Sequence, residues 1–348
     1  MPKTIFDLVN AKDIASYIDN SPSNTIPYLG ATLFPSKKQV GLDLSWIKGA
    51  NGAPIALKPA AFDAKASVRD RIGVSKVETE MPFFREAMRI GEKDRQQLLT
   101  LIKAGNEEMY KTNITRIYDD VTNLVNGANV QPERMIMQLL STGRIAITAN
   151  GLALDYDYQL PAAHKEVLAI GEKWSESTST PVQDIETWMT KVQQDSGVRP
   201  NRAIINSVTM GYLVNHLSIR KDVNPLGGEN IIFTQKDVIN YFKNKLDLSI
   251  AVYDKVYVDE VGTTRKFFPD GVFTLIPQGT LGNTWYGTTP EEADLLNGQT
   301  DANVSVVNTG VAVTTVKEVH PVNVQTIVSE IVMPSFENIN QIFIATVA

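Results

Sequence analysis

The chain has 348 residues, 43% of them hydrophobic and 21% charged, with a formal net charge of −6; these proportions belong to a folded globular protein and argue against disorder. It contains no cysteine, which excludes disulfide staples, thiolate nucleophiles and cysteine metal sites and suits a reducing compartment. No apolar run of about 18 residues exists to span a membrane, and the charged opening MPKTIFDLVNAKDIASYIDN leaves no apolar stretch for a signal peptide, so synthesis in the cytosol is expected.

Thr4 with Asp7 three residues on marks a short helix start, with Ile5, Leu8 and Val9 as its apolar edge. NSPSNTIPYLG then reads as a linker or extended arm. Val40, Leu42, Leu44 and Trp46 alternate, GANGAP breaks the pattern, and Ile55 and Leu57 resume it, which predicts a two-stranded ribbon. An isolated ribbon is marginal in water, so one face needs a cover. This stretch is also basic: residues 36–77 carry eight Lys or Arg against three acids, a balance of +5 that leaves −11 for the remainder. A basic segment on an acidic chain meets nucleic acid or an acidic patch on another copy of itself, or is a solvated loop with a chance charge bias.

Helical spacing follows from about Glu92 to Asn126, in one group with Leu98, Leu101 and Ile102 and a second with Ile114, Ile117, Val121, Leu124 and Val125. A break is expected at Gly105, a stop at Asn126-Gly127, and a new helix from Pro132 to Gly143. RIAITANGLALDYDY is a hairpin turning at Asn150-Gly151. Thr180, Pro181, Gln183 and Gly197 punctuate a helix whose apolar face holds Ile185, Trp188, Met189 and Val192. A strand at RAIINSV, a short helix around MGYLVNHL and a capped helix from Thr234 come next. Strands at LSIAVYDKVYVDEV, RKFFP and GVFTLIP, joined by GTT and PDG turns, complete a mixed α/β domain, and the tail from Asp294 is β-rich.

Residue types suited to catalysis are sparse. His164, His216 and His320 are dispersed without zinc-ligand spacing, and His164 in LPAAHKEV reads as a surface loop residue. No phosphate-binding glycine loop or nucleophile elbow is present. Asp155 and Asp157 share a strand face, which without an EF-hand glycine or a terminal Glu reads as polar surface. Glu291, Glu292, Asp294 and Asp301 give a −4 stretch that reads as a solvated acidic helix or loop rather than a carboxylate pair. Phe267, Phe268, Phe273, Trp285 and Tyr286 lie in a segment that is not basic, so they are assigned to the core rather than to base stacking. No catalytic, cofactor or metal residue is assigned.

Four segments in this order carry a resemblance: VQPERMIMQLLSTGRIAI, the helix-to-strand joint; TPVQDIETWMTKV; RKFFPDGVFTLIPQGTLGNTWYG, with its aromatic-Pro-Asp-Gly turn and Tyr-Gly end; and the closing IVMPSFENINQIFIATVA. Across essentially its whole length the chain resembles the tailed-bacteriophage major capsid proteins of the lambda type, the major capsid protein E family, whose fold is shared with encapsulins. The resemblance implies an α+β chain with the tailed-phage major capsid fold. Residues 1–35 would be the N-terminal arm, 36–85 an extended two-stranded β-ribbon loop, 86–160 a peripheral domain with the long helix and hairpin, and 161–316 an axial α/β domain. Residues 317–348 would be C-terminal strands returning to the peripheral domain.

By the same resemblance the chain is a structural protein and not an enzyme, a head subunit forming hexamers and pentamers. These close an icosahedral shell in the virion, assembled in the bacterial host cytoplasm, around packaged double-stranded DNA held without sequence-specific contacts. A separate scaffolding protein (or a segment already removed), a portal and an external decoration protein are the implied partners; no cofactor and no membrane is. The charge split then suggests assembly contacts in which Lys58, Lys65, Arg69 and Arg71 pair with acids of an adjacent copy among Glu107, Glu108, Glu291 and Glu292. Two alternatives stay open: an encapsulin-like nanocompartment holding cargo and no genome, and a cytosolic carboxylate-dependent hydrolase.

Overall fold

The computed structural model describes residues 11–19, 28–48, 75–103, 107–149, 151–297, 303–320 and 322–348. In chain order they form helix α1 (Ala11–Asp19), helix α2 (Leu29–Leu33), strands β1 (Ser36–Lys38), β2 (Asp43–Lys48), β3 (Ser75–Glu80) and β4 (Phe83–Ile90), helix α3 (Glu92–Lys103) and helix α4 (Glu107–Thr142). Next come strands β5 (Arg144–Ala149), β6 (Leu152–Asp157) and β7 (Lys165–Val167), helix α5 (Pro181–Ser196), strand β8 (Arg202–Ile205) and helices α6 (Ser207–Asn215), α7 (Leu217–Val223) and α8 (Gln235–Leu246). Strands β9 (Ser249–Val252), β10 (Val256–Val258), β11 (Thr264–Lys266), β12 (Val272–Ile276) and β13 (Asn283–Tyr286) precede helix α9 (Pro290–Asn297). Strands β14 (Asn303–Val307), β15 (Val311–Val319), β16 (Val322–Ser335) and β17 (Phe343–Thr346) end the chain.

Two compact units result. The first holds the described residues of Met1–Leu44, Glu78–Glu133 and Asn283–Ser335. Its sheet runs β1-β13-β16-β15-β14, with β4 also on β16. β16 is rich in Val and Ile, which suit a pleated, buried surface. One edge of β16 pairs with β15, and its other edge is shared end to end by β13 and β4. Period-two alternation places Val324 and Val328, with Val311 and Val313 of β15, on one face. That face is closed by Ala11 and Ile14 of α1 and by Val121 and Val125 of α4, each buried Val or Ile contributing roughly 1.5–3 kcal/mol.

α1 packs into this core: Tyr17 lies 5.5 Å from Tyr118 and its hydroxyl donates to Asp119 at 2.8 Å. The expected cap at Thr4 lies outside the described residues, as do the Gly105 break and the strand at Ile55 and Leu57. The expected ribbon differs too, since β2 pairs with β3. β3, SKVETE, has no apolar period to announce it.

α4 continues through Gly127 and Pro132, where a stop and a restart were expected. Apolar burial before the proline (Val121, Val125) and after it (Met135, Ile136, Met137, Leu139, Leu140) outweighs the cost of about 3 kcal/mol for an interior proline, its lost hydrogen bond and ring clash together. In the first unit Glu133 adds a further tie, its carboxylate accepting the Gly30 N–H at 2.9 Å.

The second unit holds the described residues of Ser45–Val77, Arg134–Gly282 and Phe336–Ala348. Its sheet runs β7-β17-β12-β8-β9, packed through Trp174, Trp188, Phe273 and Phe343. Trp188 stacks on Phe343 at 5.3 Å and Trp174 meets Phe273 edge-on at 5.1 Å. The β5–β6 hairpin pairs Ala149 with Leu152, leaving a two-residue connection as expected. α8 carries the expected cap, a full capping box between Thr234 and Asp237. α5 stops at a left-handed Gly197, but the Thr180 hydroxyl donates to Asp184 at 3.3 Å instead of capping the helix backbone.

β13, α9 and β14 join the first unit, because β13 pairs with β16. The hairpin and residues 134–160 go with the second. β16 returns to the unit that holds the start of α4, but the final strand β17 pairs with β12 and β7 in the other sheet.

Candidate functional site

Of the residues proposed for contacts between copies, Lys58, Lys65, Arg69 and Arg71 lie outside the described residues. Glu107 is the first residue of α4, and Glu108 beside it is exposed. Glu291 and Glu292 open α9, and the structure brings them together with two cations that sequence reasoning did not single out, Lys38 and Arg85.

The geometry is built from a local cap. The Thr289 hydroxyl accepts the Glu292 N–H at 3.2 Å and its carbonyl accepts the Ala293 N–H at 2.9 Å. Pro290 occupies the first turn, where its missing N–H costs nothing, and the two acids suit the positive end of the helix. That Thr-Pro-Glu-Glu pattern is a helix-start signal legible in the sequence. Its ion-pair partners are not: Lys38 lies 254 residues and Arg85 206 residues away.

Lys38 Nζ meets Glu292 Oε2 at 2.5 Å and donates to the Gly287 carbonyl at 3.0 Å. Arg85 pairs with Glu291, whose other oxygen accepts from Ser329 Oγ of β16 at 3.0 Å. The two carboxylate side chains are only 13% and 12% exposed. Around them, the Gln39 N–H donates to the Tyr286 carbonyl and the Met81 N–H to the Leu42 carbonyl, both at 2.9 Å. Gly287 is what allows this approach: a Cβ there would stand 2.7 Å from Ile331 Cγ2 and 2.8 Å from the Gly41 carbonyl oxygen.

Elsewhere the chemistry is structural. His164 is buried, 2% exposed, with Nε2 3.1 Å from Asp195, contrary to its reading as a surface residue. His216 is buried between the hydroxyls of Ser179 at 2.9 Å and Ser218 at 2.7 Å, and burial pushes its pKa down. Asp155 pairs with Arg144 across the hairpin, which holds its carboxyl below the usual range. Phe267, Phe268, Phe273 and Tyr286 are buried, as expected, and Trp285 is half-buried. Among the described residues no group of three or more metal-ligating side chains converges, and no helix is long and apolar enough to cross a membrane.

The family model described as phage major capsid protein E matches residues 10–347. No curated protein sequence matches the chain. Among solved structures, a putative capsid protein of a prophage from E. coli CFT073 superposes with a TM-score of 0.63 at 15% identity, over 98% of this chain and 99% of that one. A phage-related protein from Bordetella bronchiseptica RB50 superposes at 0.57 and 12% identity, over 97% and 96% of the two chains. The SrpI encapsulin complex of Synechococcus elongatus PCC 7942 gives 0.42 at 12% identity, over 97% and 96%. With a family model that matches residues 10–347, the chain belongs to the phage major capsid protein E family.

Proposed function

We propose that this shell subunit of a phage or prophage assembles as hexamers and pentamers into an icosahedral virion capsid around packaged double-stranded DNA. The reading rests on the family match from residue 10 to 347. Two features of the chain support it. The +5 segment within an otherwise −11 chain provides complementary steering between copies, while the acidic remainder avoids gripping DNA through counterion release. The second unit also exposes the apolar side chains of Val223, Leu226 and Ile232 within residues 223–232, with Leu226 and Ile232 almost wholly accessible, as suits a segment that another chain covers.

Lys58, Lys65, Arg69 and Arg71 engage acids of an adjacent copy. Because Glu291 and Glu292 hold partners within their own chain, Glu108, with Glu107 beside it, is the favoured acceptor. A separate scaffolding protein, a portal and a decoration protein complete the head, which assembles in the bacterial cytoplasm. The family match favours this reading over a carboxylate-dependent hydrolase.

The test is charge reversal, R69E with R71E, in a purified subunit offered its scaffolding partner at low salt. Folded subunits with lost or slowed shell formation are expected; wild-type assembly would overturn the pairing. Nucleic-acid content of the particles separates a DNA-filled head from an encapsulin-like cargo shell.

A further inference from the structure

We propose that Glu291 and Glu292 are positioning residues for assembly: as one clasp they fix both roots of the basic segment, residues 36–44 on one side and 78–90 on the other. The observation behind this is a convergence. Two consecutive acids of α9 take their cations from two different strands, Lys38 from β1 and Arg85 from β4. Between those strands, residues up to Leu44 and from Glu78 onward belong to the first unit, so the clasp joins the two flanks of the basic segment.

The helix that supplies the acids is itself fixed. Its start is capped by Thr289, and Glu291 is tied to β16 through Ser329. The roots are then held at backbone level as well. Gln39 donates to Tyr286, the Gln39 side chain donates to the Asp43 carbonyl at 2.9 Å, and Met81 donates to Leu42. Gly287 lets Gly41, Met81 and Ile331 close over it. A surface ion pair would contribute little to such an arrangement. Here the carboxylates are nearly buried, so losing a cation leaves a poorly solvated charge and the pair acts as a constraint. Constraint at the roots matters because a shell multiplies one contact over many copies, and an arm of fixed orientation meets its neighbour at a higher effective concentration than a free one.

The experiment is the isosteric double variant E291Q/E292Q in the full chain, with two readouts. In the free subunit, amide exchange of Gln39 and Met81 is expected to accelerate about tenfold or more, with global unfolding still cooperative. In assembly with the scaffolding partner, the rate of shell formation is expected to fall about tenfold or more. The charge swap R85E with E291R is expected to recover part of both. Should the double variant fail to fold, K38Q/R85Q removes the exposed partners instead and carries the same readouts. Unchanged amide exchange overturns the clasp; accelerated exchange with wild-type assembly overturns its positioning role. The assembly arm rests on the reading under Proposed function, and a wild-type chain that forms no shell overturns that reading while the exchange result still decides the clasp.

Discussion

Glu330 offers a stringent check on the first unit's core. It sits mid-strand on β16, opposite Val311 of β15 and Phe84 of β4, and is 1% exposed. Neither carboxyl oxygen has a hydrogen-bond partner among the described residues, and burial alone raises its pKa well above 4.5. A neutral acid buried without partners costs roughly 1–3 kcal/mol, so Glu330→Met, of similar volume, is expected to stabilise the chain by about that much. A pH term adds to it. With the folded pKa raised, the unfolded chain releases its proton first. The proton-linked stability is fully present below the ordinary carboxyl value and is lost as pH rises from there to the folded pKa, at about 1.4 kcal/mol per pH unit. Urea unfolding of the free subunit across about pH 4.5 to pH 7.5 measures both effects. Relative to wild type, Glu330→Met should gain stability progressively as pH rises, whereas Glu330→Gln should show the same pH trend without the constant gain. Parallel pH curves for all three chains would refute the reasoning.

Gly287→Ala places a Cβ 2.8 Å from a backbone oxygen that has no rotamer to change, so a loss of roughly 1–3 kcal/mol and faster exchange at Met81 are expected; a neutral substitution would show that the turn relaxes freely. His216 titrates the other way from Glu330. Its folded pKa is pushed below 6.5 by burial, against the opposing Glu176 carbonyl and Asp184. In the window below 6.5 the unfolded chain binds the extra proton, so stability falls as pH falls there, and His216→Gln is expected to flatten that segment of the stability curve.

Signals that act within a few residues were readable. Asn150-Gly151 set the β5–β6 hairpin, Thr234 with Asp237 set the start of α8, and the Pro-Asp-Gly turn puts Gly271 at φ +70. The order of such elements carried the fold. What was not readable depends on distant partners. Pro132 looks like a helix start until the burial of Met135, Leu139 and Leu140 is known, and His164 looks exposed until Asp195 of α5 is placed against it. β3 and β4 are polar enough on their open faces to hide their strand character. The acids at 291 and 292 were visible as a charge run, but no local pattern tells a free patch from one already holding Lys38 and Arg85.

The most direct measurement is electron microscopy, with sedimentation, of the full chain expressed together with its scaffolding partner. Closed, uniform particles with the curvature of a capsid, sedimenting far ahead of any small oligomer, are the expected result. A population that stays at a few copies under every assembly condition would contradict a shell-forming role.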